Sequence, residues 1–168
     1  LSSFEGYESP PEQDAHHVFR LDPQSGDLAP VISDFTQPNG LVFSPDESLL
    51  YVAESGSSHD PAVPAIIRKF DMASGLPVDA GIFATIDTGL PDGMRVDVNG
   101  NLWSSAGDGV HCFAPDGTLL GKIRVPETVS NIAFGGVDGQ RLFITATTSL
   151  YRVFVNIKGA EPWTRSAL

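Results

Sequence analysis

The chain has 168 residues, of which 41% are hydrophobic and 18% charged, so its length and composition predict one folded domain with a core. Its formal net charge of −11 argues against nucleic-acid binding, which needs clustered Lys and Arg, and against docking on an anionic membrane. An excess of acid is compatible with cation binding, although it more often serves solubility alone.

Short β-branched and aromatic runs follow one another along the chain, bounded by Gly, Pro, Asp and Asn, without sustained helical periodicity. The opening segment 1–17 is polar and contains Pro10-Pro11, which predicts a loop. The strands predicted after it span residues 18–21, 28–32, 41–44, 49–53, 66–70, 80–86, 94–98, 102–105, 110–113, 119–125, 132–134, 142–147 and 150–155.

These strands form a repeat of four, with a spacing of roughly 40–55 residues that is typical of propeller blades. The first unit has only its last two strands and the last unit only its first three, so the chain holds about three blades. Propellers need about four to eight blades to close. We therefore predict an all-β fold, a partial β-propeller over 1–168. It comprises the loop 1–17, blades in 18–155 and a C-terminal tail in 156–168, and missing N-terminal blades or a partner chain must close the ring.

Two polar residues, Asn39 and Asp92, precede the first strand of their repeats at matching positions, each followed by glycine, Gly40 and Gly93. Taken singly, Asn-Gly and Asp-Gly pairs indicate tight turns with positive φ. The repeat favours another interpretation, because inner strands line the central channel and residues at their mouths converge. An amide oxygen and a carboxylate that converge there suit Ca²⁺ or Mg²⁺, or a borderline divalent metal. Ser130 holds the equivalent position in the third repeat.

Other chemistry-bearing residues have simpler interpretations. Asp116 lies in a second Pro-Asp-Gly tripeptide, but between the third and fourth strands, so we expect a turn residue. The segment that begins at Asp97 resembles a calcium loop but lacks its glycine and its final glutamate, which predicts a hairpin turn. Glu54 ends a second strand, where we expect exposure, and the four histidines are expected to be structural or solvated.

The single cysteine, Cys112, precludes an intrachain disulfide and lies in an apolar run, so we expect a buried, inert thiol. No apolar run approaches the 18 residues of a membrane span. The chain starts at Leu1 without an initiator Met or a leader, which predicts a fragment or a processed form. We expect a soluble protein, with the cytoplasm as the working location and secretion as the alternative.

Several of these motifs, taken together and in order, resemble the gluconolactonase / senescence-marker-protein / luciferin-regenerating-enzyme family. The matching segments are residues 18–23, 38–46, 50–52, 91–93, 97–103 and 131–136. The resemblance implies a six-bladed propeller with one divalent metal at its axis, held by an N-terminal glutamate and by the Asn and Asp that map onto Asn39 and Asp92. The glutamate has no counterpart in this sequence, and neither do the early Arg and Asn that bind substrate hydroxyls in the family.

The resemblance also implies a reaction, the metal-dependent hydrolysis of a small-molecule sugar lactone in carbohydrate metabolism. Asn39 would be a neutral metal ligand, and Asp92 a ligand and the catalytic base for the attacking water. Calcium is the favoured metal, with Zn, Mg, Mn or Fe as alternatives. Two other readings stay open: an organophosphate or phosphoester hydrolase of the same propeller group, and a non-catalytic binding propeller stabilised by calcium.

Overall fold

The computed structural model describes residues 13–160, and within this range it is built almost entirely of strands. The strands are β1 His16–Leu21, β2 Leu28–Phe35, β3 Pro38–Phe43, β4 Leu49–Glu54, β5 Ile66–Asp71, β6 Val78–Thr85, β7 Met94–Val96, β8 Leu102–Ala106, β9 Gly109–Phe113, β10 Leu119–Arg124, β11 Val129–Gly135, β12 Arg141–Ala146 and β13 Leu150–Phe154. A 3₁₀ turn over Gly56–Ser58 is the sole helical segment among the described residues. The all-β prediction is confirmed, and none of these residues forms a helix with the length and apolar character that a bilayer span requires.

The strands form four antiparallel sheets in which each strand pairs with the next one along the chain. Sheet 1 contains β1 and β2, sheet 2 contains β3 to β6, sheet 3 contains β7 to β10, and sheet 4 contains β11 to β13. This is the order predicted from the repeat, including the two strands of the first unit and the three of the last. The main difference is that β3 starts at Pro38, so Asn39 and Gly40 belong to the strand, at a register irregularity between Pro38 and Leu41.

The sheets stack face to face, with the first strand β3 of sheet 2 against β7 and β7 against β11. The central strand β4 shows why they stack. Its side chains alternate between two faces, so Leu50 and Val52 enter one apolar cluster with sheet 1, while Tyr51 and Ala53 enter another with sheet 3. All four side chains are buried. A strand covered on both faces needs a continuous apolar run rather than a polar alternation, and β4 has one.

The turn between β7 and β8 is built around the buried carboxylate of Asp97. That carboxylate accepts hydrogen bonds from the backbone N–H groups of Asn99 and Asn101, at 2.9 and 3.0 Å, and from the indole N–H of Trp103 at 2.9 Å. Gly100 closes the turn with a φ of 82°, which glycine adopts without strain. The predicted hairpin turn is therefore confirmed, and Asp97 also supplies the acceptor that the buried indole requires.

Residues 156–160, the last that the structure describes, lie against the turn and strand at the start of sheet 3. The backbone N–H of Val98 donates to the carbonyl of Lys158 at 3.0 Å, and the N–H of Ala160 donates to the carbonyl of Val96 at 2.9 Å. Gly159 lies between them, and a Cβ at this position would overlap the side chain of Phe134 in sheet 4. Residues 156–160, the first part of the segment predicted as a tail, thus link sheets 3 and 4; residues 161–168 lie outside the described range.

Candidate functional site

Asn39 and Asp92 lie side by side, where the first strands of sheets 2 and 3 meet. The side chain of Asn39 lies close enough to the carboxyl group of Asp92 to lower the pKa of that carboxyl. Asn39 is exposed and Asp92 half-buried, so the pair sits at the mouth of the contact between β3 and β7 rather than inside the core. The structure brings these two predicted site residues together, while their roles as metal ligands stay a prediction.

The glycines after these residues permit a close approach of backbones. A Cβ on Gly40 would overlap the carbonyl oxygen of Asp92, and a Cβ on Gly93 would overlap the side-chain amide of Asn131. None of these residues has a positive φ, so the interpretation of the two pairs as tight turns is wrong. Glycine is required here because consecutive first strands touch through main-chain atoms.

The third repeat contributes Asn131, where the sequence pointed to Ser130. The hydroxyl of Ser130 lies 3.1 Å from Oγ1 of Thr145 on β12, while its carbonyl accepts the backbone N–H of Gly93 at 2.9 Å. The side-chain oxygen of Asn131 accepts the N–H of Ile132 at 2.8 Å and contacts Gly93. The asparagine that replaces the glycine of the other two repeats is the sequence signal that could have indicated this residue.

Two buried serines hold the segment that carries Asp92. The backbone N–H of Asp92 donates to Oγ of Ser105 at 3.0 Å. On the other side, the hydroxyl of Ser55 donates to the carbonyl of Pro91 at 2.5 Å. Ser105 belongs to the same sheet as Asp92, whereas Ser55 follows β4 of the neighbouring sheet. Asp92 is therefore fixed from both sheets that meet at the site.

Glu54 is buried, with 6% of its surface exposed, so the expectation of an exposed side chain is wrong. Its carboxylate accepts the backbone N–H groups of Thr36, Gln37 and Gly56, each at 2.8 Å. Thr36 and Gln37 lie between β2 and β3, outside the strand pairings, so their N–H groups need another acceptor. The chain that enters β3 thus presents unpaired amides, and the carboxylate satisfies them.

The surroundings of the Asp92 carboxyl group disfavour its ionised form. Burial raises its pKa, and the hydrogen bond from Asn39 only partly opposes this shift. Among residues 13–160, no Lys or Arg forms an ion pair with Asp92. A half-buried carboxylate beside an amide oxygen is a donor set that fits a hard divalent cation, which would supply the missing charge.

A second group of potential ligands, formed by Asp87, Asp108 and His111, has its charge already compensated. Its ligand atoms lie within 4.8 Å of one another. However, Nζ of Lys122 lies 2.5 Å from Asp87 and 3.2 Å from Asp108, and Arg124 lies 2.5 Å from Asp108. The hydrogen bond from Lys122 is the main cause that lowers the pKa of Asp87. These ammonium and guanidinium groups already neutralise the carboxylates, and His111, which lies 2.6 Å from Asp108, belongs to the same ion-pair network.

Two further single-residue predictions concern Cys112 and Asp116. Cys112 is a free thiol that is partly rather than fully buried, and burial together with the charge of Asp97 raises its pKa to about 12, while its inertness stays a prediction. Asp116 accepts the backbone N–H of Thr118 at 2.9 Å in an exposed turn, as its place in the repeat indicated.

Stacked antiparallel sheets whose first strands converge define a fold of the propeller type. The family model described as "SMP-30/Gluconolactonase/LRE-like region" matches residues 4–148, so the chain belongs to that family, as the resemblance predicted.

The relatives named as enzymes support the same grouping. The gluconolactonase of Zymomonas mobilis is 40% identical over 153 residues, which cover 84% of this chain and 41% of that protein. A solved gluconolactonase from Xanthomonas campestris has a TM-score of 0.77 at 40% identity, covering 90% of this chain and 47% of that one. The calcium-binding protein regucalcin of Agrobacterium tumefaciens, with a TM-score of 0.70 at 20% identity, shares the fold. The chain spans half or less of the two gluconolactonases.

Proposed function

We propose that this chain is part of a metal-dependent hydrolase of sugar lactones, with the site at Asn39 and Asp92. The observation that supports it most is the contact of these two side chains around a half-buried carboxylate that no cationic side chain of the described residues compensates. The relatives named gluconolactonase supply the substrate class, a small cyclic ester of a sugar acid.

In this proposal, the side-chain oxygen of Asn39 and the carboxylate of Asp92 are two of the metal ligands. Held by these residues, a divalent cation would supply Lewis-acid chemistry, the polarisation of the lactone carbonyl and the stabilisation of negative charge on its oxygen. Calcium is the favoured ion, and Zn, Mg, Mn and Fe are the alternatives. Asn39 is neutral and lies next to the carboxylate, where it helps to orient it.

Asp92 has a second proposed role as the base, in which one of its oxygens accepts a proton from the attacking water. A carboxylate next to a cation is held in its ionised form, so this proton acceptor is weak. Asp92 can still act as the base because its position is fixed: Ser55 holds the carbonyl of Pro91, and Ser105 holds the backbone N–H of Asp92.

Sheets 1 to 4 are, in this proposal, consecutive blades of a six-bladed propeller, with about three blades' worth of strands in the chain. The remaining blades, and the acidic third ligand that the resemblance implies, come from further N-terminal blades or from a partner chain.

The test is the hydrolysis of glucono-δ-lactone, followed by the acid it releases, before and after EDTA treatment and on adding back Ca²⁺ or Mn²⁺. Asp92→Asn should abolish turnover and its dependence on the added metal. Asp116→Asn is the matched control. It makes the same change in the second Pro-Asp-Gly tripeptide, which forms an exposed turn at a different position of the repeat, and it should retain full activity. Unchanged hydrolysis in Asp92→Asn would refute the assignment. Metal binding without turnover of lactones would favour a calcium-stabilised binding propeller, and turnover of phosphotriesters alone would favour the phosphoester reading.

A further inference from the structure

The turn that follows β4 connects the two segments that carry Asn39 and Asp92. On one side, the backbone N–H of Ser55 donates to the carbonyl of Gln37 at 3.0 Å, two residues before Asn39. On the other side, the hydroxyl of the same residue donates to the carbonyl of Pro91 at 2.5 Å, one residue before Asp92. Ser55, which is 2% exposed, thus hydrogen-bonds both to the segment before Asn39 and to the segment before Asp92.

The neighbouring Glu54 fixes this turn relative to sheet 2. Its Oε1 accepts the N–H groups of both Gln37 and Gly56, and its Oε2 accepts that of Thr36. The segment before Asn39 and the turn itself therefore share one buried carboxylate. Since both oxygens are already engaged by backbone donors, Glu54 is not free to act as a ligand in the site, and its role is to hold the backbone.

The contact at Gly40 shows how little freedom this arrangement allows. The α-carbon of Gly40 approaches the carbonyl of Asp92 so closely that a Cβ would overlap it. A small shift of the Pro91 segment therefore changes the distance between the Asn39 and Asp92 side chains directly. The hydrogen bond from Ser55 restrains that shift from the side of sheet 2, while Ser105 restrains it from within sheet 3.

We infer that Ser55, supported by Glu54, is a positioning residue that sets the spacing of Asn39 and Asp92 and thereby the cation affinity of the site. This inference rests on the proposed metal site. Ser55 touches neither the cation nor the substrate; it acts by holding the Pro91 carbonyl across the boundary between two sheets. Residues that orient ligands in this manner affect metal affinity by roughly tenfold or more when they are removed.

The test measures Mn²⁺ and Ca²⁺ affinity by titration calorimetry, together with the thermal midpoint of the metal-free protein. Ser55→Ala removes the link, Ser55→Thr keeps the hydroxyl, and Asp92→Asn reports on the site itself. Ser44→Ala is the matched control, since Ser44 is also buried and makes two hydrogen bonds, to Asp46 and Leu49, but at the opposite end of β3.

We expect Ser55→Ala to bind the cation roughly tenfold or more weakly, and Ser55→Thr and Ser44→Ala to bind as the unaltered protein does. Ser44→Ala should lower the thermal midpoint at least as much as Ser55→Ala, which separates positioning from general stability. Unaltered affinity in a folded Ser55→Ala overturns the inference while the metal site stands. If Ser55→Ala does not fold, a loss of affinity in Ser55→Thr overturns it and full affinity supports it. Absence of binding by the unaltered protein overturns the metal site, and this inference with it.

Discussion

The side chain of Asn39 lies next to the carboxyl group of Asp92 across the boundary between two sheets and lowers its pKa, although no strand pairing joins the two residues. The contact depends on glycine at the next position of each repeat and on buried polar groups behind it. Several consequences of this arrangement can be measured without knowing the substrate.

Gly40→Ala should destabilise the protein and disturb the site together. The new Cβ would overlap the carbonyl oxygen of Asp92, and because that atom belongs to the backbone, the two strands must separate. Overpacking of this kind costs about 1–3 kcal/mol in the free energy of unfolding, measurable by urea denaturation. Gly121→Ala is the control, because no atom lies within 4 Å of its Cβ position and its φ is not positive. Equal stability of the two variants would contradict the close approach.

Asp97→Ala should be among the most damaging single changes in sheet 3. It leaves the amides of Asn99 and Asn101 without their acceptor in a partly exposed turn, and the indole of Trp103 without its acceptor in a buried position. An unsatisfied buried donor costs about 1–3 kcal/mol, so the buried indole sets the scale and we expect a loss of about 2–3 kcal/mol. Thermal unfolding followed by Trp fluorescence measures it. Asp116→Ala, which removes the acceptor of an exposed turn, should have a far smaller effect; a similar loss in both would show that burial of Asp97 is not the cause.

Glu127 should make the stability of the protein depend on pH in the acid range. Its carboxylate accepts hydrogen bonds from the hydroxyls of Ser149 and Tyr151 and from the backbone and hydroxyl of Thr148, which lower its pKa from 4.5 to about 2. A folded-state pKa below the unfolded one contributes stability above pH 4.5, and this contribution is lost as the pH falls towards 2. The midpoints of the protein and of Glu127→Gln should therefore differ most at pH 6 and converge by pH 2. A difference that stays constant down to that pH would refute this linkage.

Cys112 should resist alkylation in the folded protein. Burial and the charge of Asp97 raise the pKa of the Cys112 thiol to about 12, so the thiolate is a fraction on the order of 10⁻⁴ of the protein at pH 8. Iodoacetamide labelling, followed by mass spectrometry, should be slow in buffer and complete in urea. Rapid labelling of the native protein would contradict the buried environment.

The order of strands could be predicted from the sequence because the signals are local: β-branched runs bounded by turn residues, repeated at a constant spacing. Asp92 and Asp116 lie in identical Pro-Asp-Gly tripeptides, and only their different positions in the repeat distinguished a site residue from a turn residue. The burial of Glu54 was missed, since a single glutamate at a strand end resembles a surface residue and its amide partners lie in the segment before β3. The close approach at Gly40 could not be predicted either, because the backbone atom that a Cβ there would overlap lies in the segment before β7, in another repeat.

The double-sided packing of β4 has a consequence for exchanging parts between family members. Tyr51 and Val52 are neighbours in the chain but belong to different apolar clusters, so sheet 2 packs against a neighbouring sheet on each of its faces. A chimaera that replaces sheet 2 alone would therefore have mismatched packing on both faces. Viable recombinants should accordingly keep facing sheets from the same parent.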